Sequence, residues 1–519
     1  SQQIPSEMDP RVPFSVVIFG ATGDLARKKL FPALSQLVLL GHFPRSLSIV
    51  GYGRSTVILN EFLEKQCVNV KEQPTLSKAD FMARITFHAG PYDSPESFKE
   101  LAKELTELEG DIPSNRLYFL SVPPGVFGAV TAMINEHARA VEPGFTRLMI
   151  EKPFGRDTAT FEELNDKTAA CFHESQLYRL DHYLGKEVIL NISTLRWANQ
   201  LFEPTWNREY IESVQIIFKE DFGTEGRGGY FDQYGIIRDV LQNHLLQVLA
   251  LVAMEQPLSF SAEHIRAEKL KVLHACRPLS TDDVVTGQYA GYLDDPSVEN
   301  KQSRTETFAA AVLHINNPRW AGVPFVLKAG KALTDSKAEV RVQFHAVPGA
   351  VSALASCAAN ELVIRVQPEE LIYWKVNNKV PGLHFEVQQQ RMDLLYSSKF
   401  FERKLPEAYE RLLLEVLAAD HSHFVSGEEL VASWQIFTPA LQALHASRRV
   451  PEVYPFGSRG PPSADALAHK YGITKFGGGL TALYAGVLPT IIAMFPYVGV
   501  EFMVYETLKC VRGTCTPLH

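Results

Sequence analysis

The sequence predicts two architectures in one chain: an α/β region built on a parallel sheet, then a larger β-rich region built on a mainly antiparallel sheet. Three observations carry this. The 519 residues exceed the roughly 250–300 at which single hydrophobic cores stop growing, so at least two domains are expected. Up to about residue 195 short apolar runs alternate with helix-like segments, the pattern of parallel strands covered on both faces. Beyond it, apolar runs succeed one another without regular intervening helices, which favours antiparallel pairing.

The elements follow in order. SVVIFG, residues 15–20, is a short apolar run ending in glycine, and ATGDLARKKLFPALSQLVLLG after it has helical spacing at Leu30, Leu34, Leu37 and Val38. SLSIVGYGRS, RLYFLSVPP and RLMIEKPFG read as further strands, and SPESFKELAKELTELEG as an intervening helix. In the second region SVQIIFKEDFG, TETFAAAVLHI, FVLKAG, EVRVQFHAV and ELVIRVQP are the β-rich runs. YGIIRDVLQNHLLQVLALVAM, near the front of that region, has helical spacing. No internal repeat or low-complexity tract interrupts the chain.

With 46% hydrophobic and 21% charged residues and a formal charge of −8, the composition is that of a soluble enzyme and is unfavourable for nucleic acid. Cys67, Cys171, Cys276, Cys357, Cys510 and Cys515 are scattered, with no CxxC pair and no zinc spacing, which suggests a reducing compartment and no metal. The opening SQQIPSEMDPRVPF is polar, with neither an apolar signal core nor an arginine-rich amphipathic pattern. The main body is therefore expected in the cytoplasm.

Gly20-Ala-Thr22-Gly23-Asp24-Leu25 follows a strand and opens a helix, a setting in which backbone N–H groups and the helix dipole bind a pyrophosphate. The spacing departs from GxGxxG, so by itself it fits a tight strand-to-helix turn as well as a nucleotide site. The next strand adds to the nucleotide reading. It ends GYGRS, placing Arg54 where an NAD site would want an acid and where the 2′-phosphate of NADP would want a cation.

RLDHYLGKE, residues 179–187, gathers Asp181, His182, Tyr183 and Lys186. A solvated helix surface explains such a run, and so does a binding site. His244 in QNHLLQ fits a hydrogen-bonded buried histidine as well as a base. Lys152 in EKPFG follows an apolar strand and would project from the carboxyl end of the parallel sheet, where such sheets bind ligands.

These segments resemble the glucose-6-phosphate dehydrogenase family. GATGDLARKKLFPAL, IVGYGRS, NRLYFLSVPP, EKPFGRD, RLDHYLGKE, LRWAN, KEDFGTEGRGGYFDQYGIIRDVLQNHLLQ, WAGVPFVLKAGKAL, KAEVRVQFH, NELVIRVQP, EAYERLLLEV and GSRGP carry the likeness in order, from about residue 14 to about residue 472. The resemblance implies a Rossmann-like coenzyme domain followed by a larger β+α domain with an extended, mainly antiparallel sheet. Its division would be a polar segment 1–13, an NADP-binding domain 14–181, a β+α substrate and oligomerisation domain 182–474 and an atypical tail 475–519. The implied activity is oxidation of β-D-glucose 6-phosphate to 6-phospho-D-glucono-1,5-lactone with NADP, the first step of the oxidative pentose phosphate pathway. A homodimer or homotetramer through the second-domain sheet is implied as well.

By the same resemblance His244 is the general base and Asp181 the carboxylate that orients it, an arrangement whose logic is that of acid–histidine pairs elsewhere. His182, Tyr183 and Lys186 would hold the 6-phosphate with charge and directional donors. Glu220 and Asp239 would accept from sugar hydroxyls, Lys152 would touch sugar and coenzyme, and Pro153 would lie at a hinge between them. Lys331 and Gln367 would complete the sugar site. Gly20, Thr22, Gly23, Asp24, Leu25 and Arg54 would line the coenzyme site. The alternatives are a hexose dehydrogenase of relaxed preference and an inactive relative that only binds nucleotide.

Some family members hold a second, structural NADP, and Lys337, Arg341, Arg365, Tyr373, Lys375 and Arg459 resemble its ligands. An exposed basic sheet face explains the same residues. Glu407 stands where the family commonly has aspartate. After HKYGITK the resemblance stops, and FGGGLTALYAGVLPTIIAMFPYVGV, residues 476–500, is uncharged and long enough at ~1.5 Å per residue to cross a bilayer of ~30 Å as a helix. GLTALYAGVLPTIIAMFPYVGVEFMVYETLK resembles part of a mitochondrial solute carrier. A fused fragment, a membrane or partner-binding appendage and an apolar segment folded onto the enzyme are the three readings of this tail.

Overall fold

Six strands of the first region pair in parallel: β1 (Phe14–Phe19), β2 (Leu47–Gly53), β3 (Ile85–Ala89), β4 (Asn115–Leu120), β5 (Thr146–Ile150) and β6 (Leu177–Arg179). The computed structural model describes residues 12–44, 46–73, 75–395 and 405–473. Those residues fall into two units, one through Leu467 and one from Ala468. Only 468–473 of the second are described, and the apolar tail lies outside the described residues.

The strand order is β3-β2-β1-β4-β5-β6, the doubly wound order in which the chain reverses direction between β1 and β4. Every residue of β1 is buried, as a strand covered on both faces requires. Leu30, Leu34 and Leu37 are buried and Val38 packs against their cluster, so the helical spacing read from the sequence faces the sheet. The chain enters this helix through a π-wound stretch, Ala26–Leu30, before the α-helix Phe31–Leu39.

The second sheet has nine strands in the order β14-β13-β12-β11-β7-β10-β9-β8-β15. They are β7 (Ile211–Lys219), β8 (Val284–Tyr289), β9 (Phe308–His314), β10 (Pro324–Gly330), β11 (Lys337–Phe344), β12 (Glu361–Gln367), β13 (Leu371–Lys379), β14 (Val387–Leu395) and β15 (Glu452–Tyr454). Most neighbours are antiparallel, but β7 with β10 and β8 with β15 run parallel. The parallel pair matters for function, because it delivers the carboxyl ends of β7 and β10 to the same edge. There Glu220 N–H donates to the Gly330 carbonyl at 2.9 Å.

Two segments differ from the sequence reading in form. The segment read as one long helix is wound as a π-helix over Ile237–Leu245 before becoming α-helical over Leu246–Ala253. The helix Ala408–Leu417, remote in sequence from the first sheet, packs Tyr409, Leu412, Leu413 and Val416 into that sheet's core.

Candidate active site

A cavity of about 960 Å³ takes its walls from both sheets. Asp24 and Leu25 line it after β1, Ser121 to Pro124 after β4, and Glu151 to Pro153 after β5. His182, Tyr183, Glu220, Asp239, His244, Lys331 and Gln367 line it as well. The carboxyl ends of parallel strands thus open into the space reached by the second sheet, as the topology requires.

His244 is one of the residues that line it. Its Nδ1 lies 2.5 Å from Asp181 Oδ1, and both side chains are buried. Because a carboxylate only accepts, Nδ1 carries the proton and Nε2 is left with its lone pair. Burial lowers the His244 pKa below its ordinary value, against the opposing charge of Asp181. Burial raises the Asp181 carboxyl, but His244, His182 and the Tyr183 N–H together bring it below the usual value. The pair therefore rests as neutral imidazole and carboxylate, the state a general base needs.

The π-winding explains how Asp239 joins this site. Residues five apart lie about one turn apart in a π-helix, so Asp239 and His244 both face the cavity. Lys152 Nζ donates to the Asp239 carbonyl at 2.6 Å and to its Oδ1 at 2.9 Å. Burial raises the Asp239 carboxyl, and the charges of Lys152 and Lys331 outweigh it, so it stays below its usual value. Lys331 forms an ion pair with Glu220. This wall offers alternating carboxylates and ammonium groups, a surface suited to a polyhydroxyl ligand.

Tyr183 stacks on His244 with ring centroids 4.7 Å apart, and its buried hydroxyl has no hydrogen-bond partner among the described residues. A buried hydroxyl of this kind is normally satisfied, so Tyr183 has a donor to offer in the cavity that it lines. His182 meets His244 edge to face at 4.7 Å, and burial holds its pKa well below the ordinary value. Lys186 does not line the cavity. It stands over the Tyr183 ring, Nζ 5.4 Å from the centroid, and burial lowers its pKa.

At the other end, Gly20 has φ +80°, and a Cβ there would lie 2.2 Å from the Ser121 carbonyl oxygen. Only glycine allows β1 and β4 to approach this closely at their ends. Gly23 N–H donates to the Gly20 carbonyl at 3.0 Å, and the Thr22 carbonyl accepts from Gln66 at 3.1 Å. This cradle fits a dinucleotide pyrophosphate. Asp24 is held by Lys28 at 3.1 Å, Arg227 at 3.0 Å and Arg27 at 2.5 Å, and its hydrogen bond to Lys28 leads the lowering of its pKa. Arg54 is exposed just past the end of β2.

Five of the six residues expected around a second nucleotide lie on three adjacent strands of the second sheet. Lys337 and Arg341 lie on β11, Arg365 on β12, and Tyr373 and Lys375 on β13. They do not form an exposed basic face. Arg341 is buried and bonded to Glu361 at 2.7 Å and to Glu339 at 2.9 Å, Lys375 pairs with Glu361, and Lys337 lies 3.4 Å from Asp335. Arg459 reaches Asp465 at 3.5 Å. Glu407 begins the helix Ala408–Leu417 and pairs with Lys29 at 2.9 Å.

Sequence reasoning overlooked Glu151, Tyr409, Lys28 and Tyr230, all of which line the main cavity. The glutamate stood in plain view beside Lys152 in EKPFG. Tyr409 lay in EAYERLLLEV, a segment that carries the family likeness, but nothing there pointed to the cavity, because only tertiary packing brings its helix to the first sheet.

A doubly wound sheet with a glycine turn at its reversal point, sharing one cavity with a carboxylate-bonded histidine, has the form of a nicotinamide-nucleotide-dependent dehydrogenase. Residues 17–191 match the profile "Glucose-6-phosphate dehydrogenase, NAD binding domain", and residues 193–476 match "Glucose-6-phosphate dehydrogenase, C-terminal domain". The chain belongs to the glucose-6-phosphate dehydrogenase family. It is 49% identical to a chloroplastic glucose-6-phosphate 1-dehydrogenase of Arabidopsis thaliana, over 88% of this chain and 83% of the relative. It is 46% identical to a cytoplasmic one from the same plant, over 92% and 94%. A solved glucose-6-phosphate dehydrogenase in complex with glucose 6-phosphate is 43% identical, with a TM-score of 0.83, covering 89% of this chain and 98% of that one. Residues 471–513 match the profile "Mitochondrial carrier protein". Among the described residues no helix is long and apolar enough to cross a membrane.

Proposed function

We propose that His244 is the base that removes the C1 hydroxyl proton of β-D-glucose 6-phosphate, giving 6-phospho-D-glucono-1,5-lactone. The chain is an NADP-dependent oxidoreductase of glucose 6-phosphate. One observation carries the assignment of the base: Nδ1 of His244 is engaged by a buried carboxylate while the ring lines a cavity walled by Glu220, Asp239, Lys331 and Lys152. NADP+, when bound, supplies the hydride acceptor.

The residues divide the work. Asp181 keeps the tautomer and stabilises the imidazolium as the proton arrives on Nε2. Glu220 and Asp239 accept from the sugar hydroxyls and fix the ring, while the charges of Lys152 and Lys331 keep Asp239 ionised. Tyr183 and His182 donate to the 6-phosphate, with Lys186 contributing charge from behind the Tyr183 ring. The Gly20–Leu25 turn holds the pyrophosphate, and Arg54 takes the 2′-phosphate of NADP.

His244→Asn tests the assignment. Turnover is expected to fall by about 10³-fold or more with the Kd for glucose 6-phosphate changed less than about threefold, because a base acts chiefly in the transition state. Turnover near that of the parent would remove His244 from this role. Comparing glucose with its 6-phosphate, and NAD with NADP, in the same absorbance assay separates this reading from a dehydrogenase of relaxed preference.

A further inference from the structure

Glu151 follows β5 and is buried in the cavity wall. In the strand order β1-β4-β5-β6 it lies between the glycine cradle after β1 and the Asp181–His244 pair after β6. Its carboxyl is fixed in place: the Tyr409 hydroxyl donates to Oε1 at 2.6 Å, and the Lys152 N–H donates to Oε2 at 3.2 Å. Among the described residues no ion pair neutralises it, since the Lys152 ammonium is turned to Asp239. A buried carboxylate without a cation is costly, and Glu151 lines the same cavity as Asp24 and Leu25 of the glycine turn and His244.

We propose that Glu151, held by Tyr409, favours the oxidised, cationic nicotinamide ring over the neutral reduced ring and so biases coenzyme binding toward NADP+. The inference rests on the coenzyme reading above. On that reading, a nicotinamide set between the turn after β1 and a sugar carbon beside His244 would lie in the cavity that Glu151 lines. The two redox forms differ there by one positive charge, and a carboxylate in a low-dielectric wall acts on that difference strongly. Tyr409 and Glu151 are thus positioning and specificity residues; neither transfers a group.

The pH dependence follows from the groups around the carboxyl. Burial pushes Glu151 up to about 7, against the Tyr409 hydrogen bond and the charge of Lys152 and with repulsion from Asp181. Tyr230 lines the same cavity, and the Glu151 charge, after burial and the charges of Asp239 and Tyr234, helps to hold its phenol above the ordinary value. Above about 7 the carboxylate attracts the nicotinamide cation, and below it the attraction is lost. The 2′-phosphate titrates in both redox forms, so its effect cancels in the ratio of their affinities.

The test is to titrate the full chain separately with NADP+ and NADPH by equilibrium dialysis, from about pH 6 to about pH 8.5. For the parent, Kd(NADPH)/Kd(NADP+) is expected to rise with pH by about tenfold. Glu151→Gln should leave the ratio flat and low. Tyr409→Phe removes a donor to the carboxylate and should move the rise to higher pH. A Glu151→Gln protein that keeps the parent ratio, or that weakens both forms equally, would overturn the inference alone. Failure of the parent to bind either form would remove the coenzyme reading as well.

Discussion

Tyr183 shows how a single side chain reveals a site through what it lacks. Its hydroxyl is buried with no hydrogen-bond partner among the described residues, beside a neutral imidazole, an arrangement that costs the unliganded protein about 1–3 kcal/mol. Tyr183→Phe should therefore leave the unliganded protein as stable or more stable in a denaturant titration. The same change should raise KM for glucose 6-phosphate about tenfold with the Kd for NADP+ unchanged, because the proposed role of the lost donor is to bind the sugar phosphate. A destabilised protein with unaltered KM would mean that the hydroxyl is structural. The residue types of RLDHYLGKE fitted a binding site or a solvated surface, and the resemblance implied a role for each. Which hydroxyl lacked a partner, and that Lys186 stands behind the Tyr183 ring, were not legible, since both depend on side-chain packing rather than on order along the chain.

At the scale of elements, local pattern and local geometry part company. The β1 run and the helix after it were read directly, because burial on both faces and 3.6-residue spacing leave marks in the sequence. The π-winding of Ile237–Leu245 left none. Its residues have ordinary helical spacing, yet only the wider turn sets Asp239 and His244 on one side. Strands β13 and β14 also escaped, because half-exposed strands such as LIYWKVNNK and VQQQRMDLL mix polar and apolar residues without a continuous core face. The glycine turn makes the element-scale prediction. Gly20→Ala would place a Cβ 2.2 Å from the Ser121 carbonyl oxygen at φ +80°, forcing β1 and β4 apart at the point where the coenzyme cradle is built. A loss of at least about 2 kcal/mol of stability is expected, together with a loss of NADP+ binding measured by dialysis. Near-parent affinity would show that the cradle tolerates separation of those strand ends.

Across the whole molecule, the helix Ala408–Leu417 ties late sequence to early fold. Leu412 and Val416 are fully buried in the core of the first sheet, Arg147 donates to the Leu417 carbonyl at 3.0 Å, and Arg411 pairs with Glu187. The same helix supplies Tyr409 to Glu151 in the active-site wall. The coenzyme sheet therefore cannot complete its core until the chain has passed through most of the nine-stranded sheet, and contacts this distant in sequence bind the two halves into one cooperative system. Leu412→Ala removes a buried side chain from that junction and should cost about 2–5 kcal/mol. Denaturant unfolding followed by far-ultraviolet circular dichroism should still show one transition, shifted to lower denaturant. The loss of NADP+ binding should follow the same curve, because the cradle after β1 depends on the core that Leu412 fills. Two separated transitions, with coenzyme binding retained through the one that the substitution shifts, would show that the first sheet holds its core without this helix. In that case the link between Tyr409 and Glu151 would be a contact between independently folded parts.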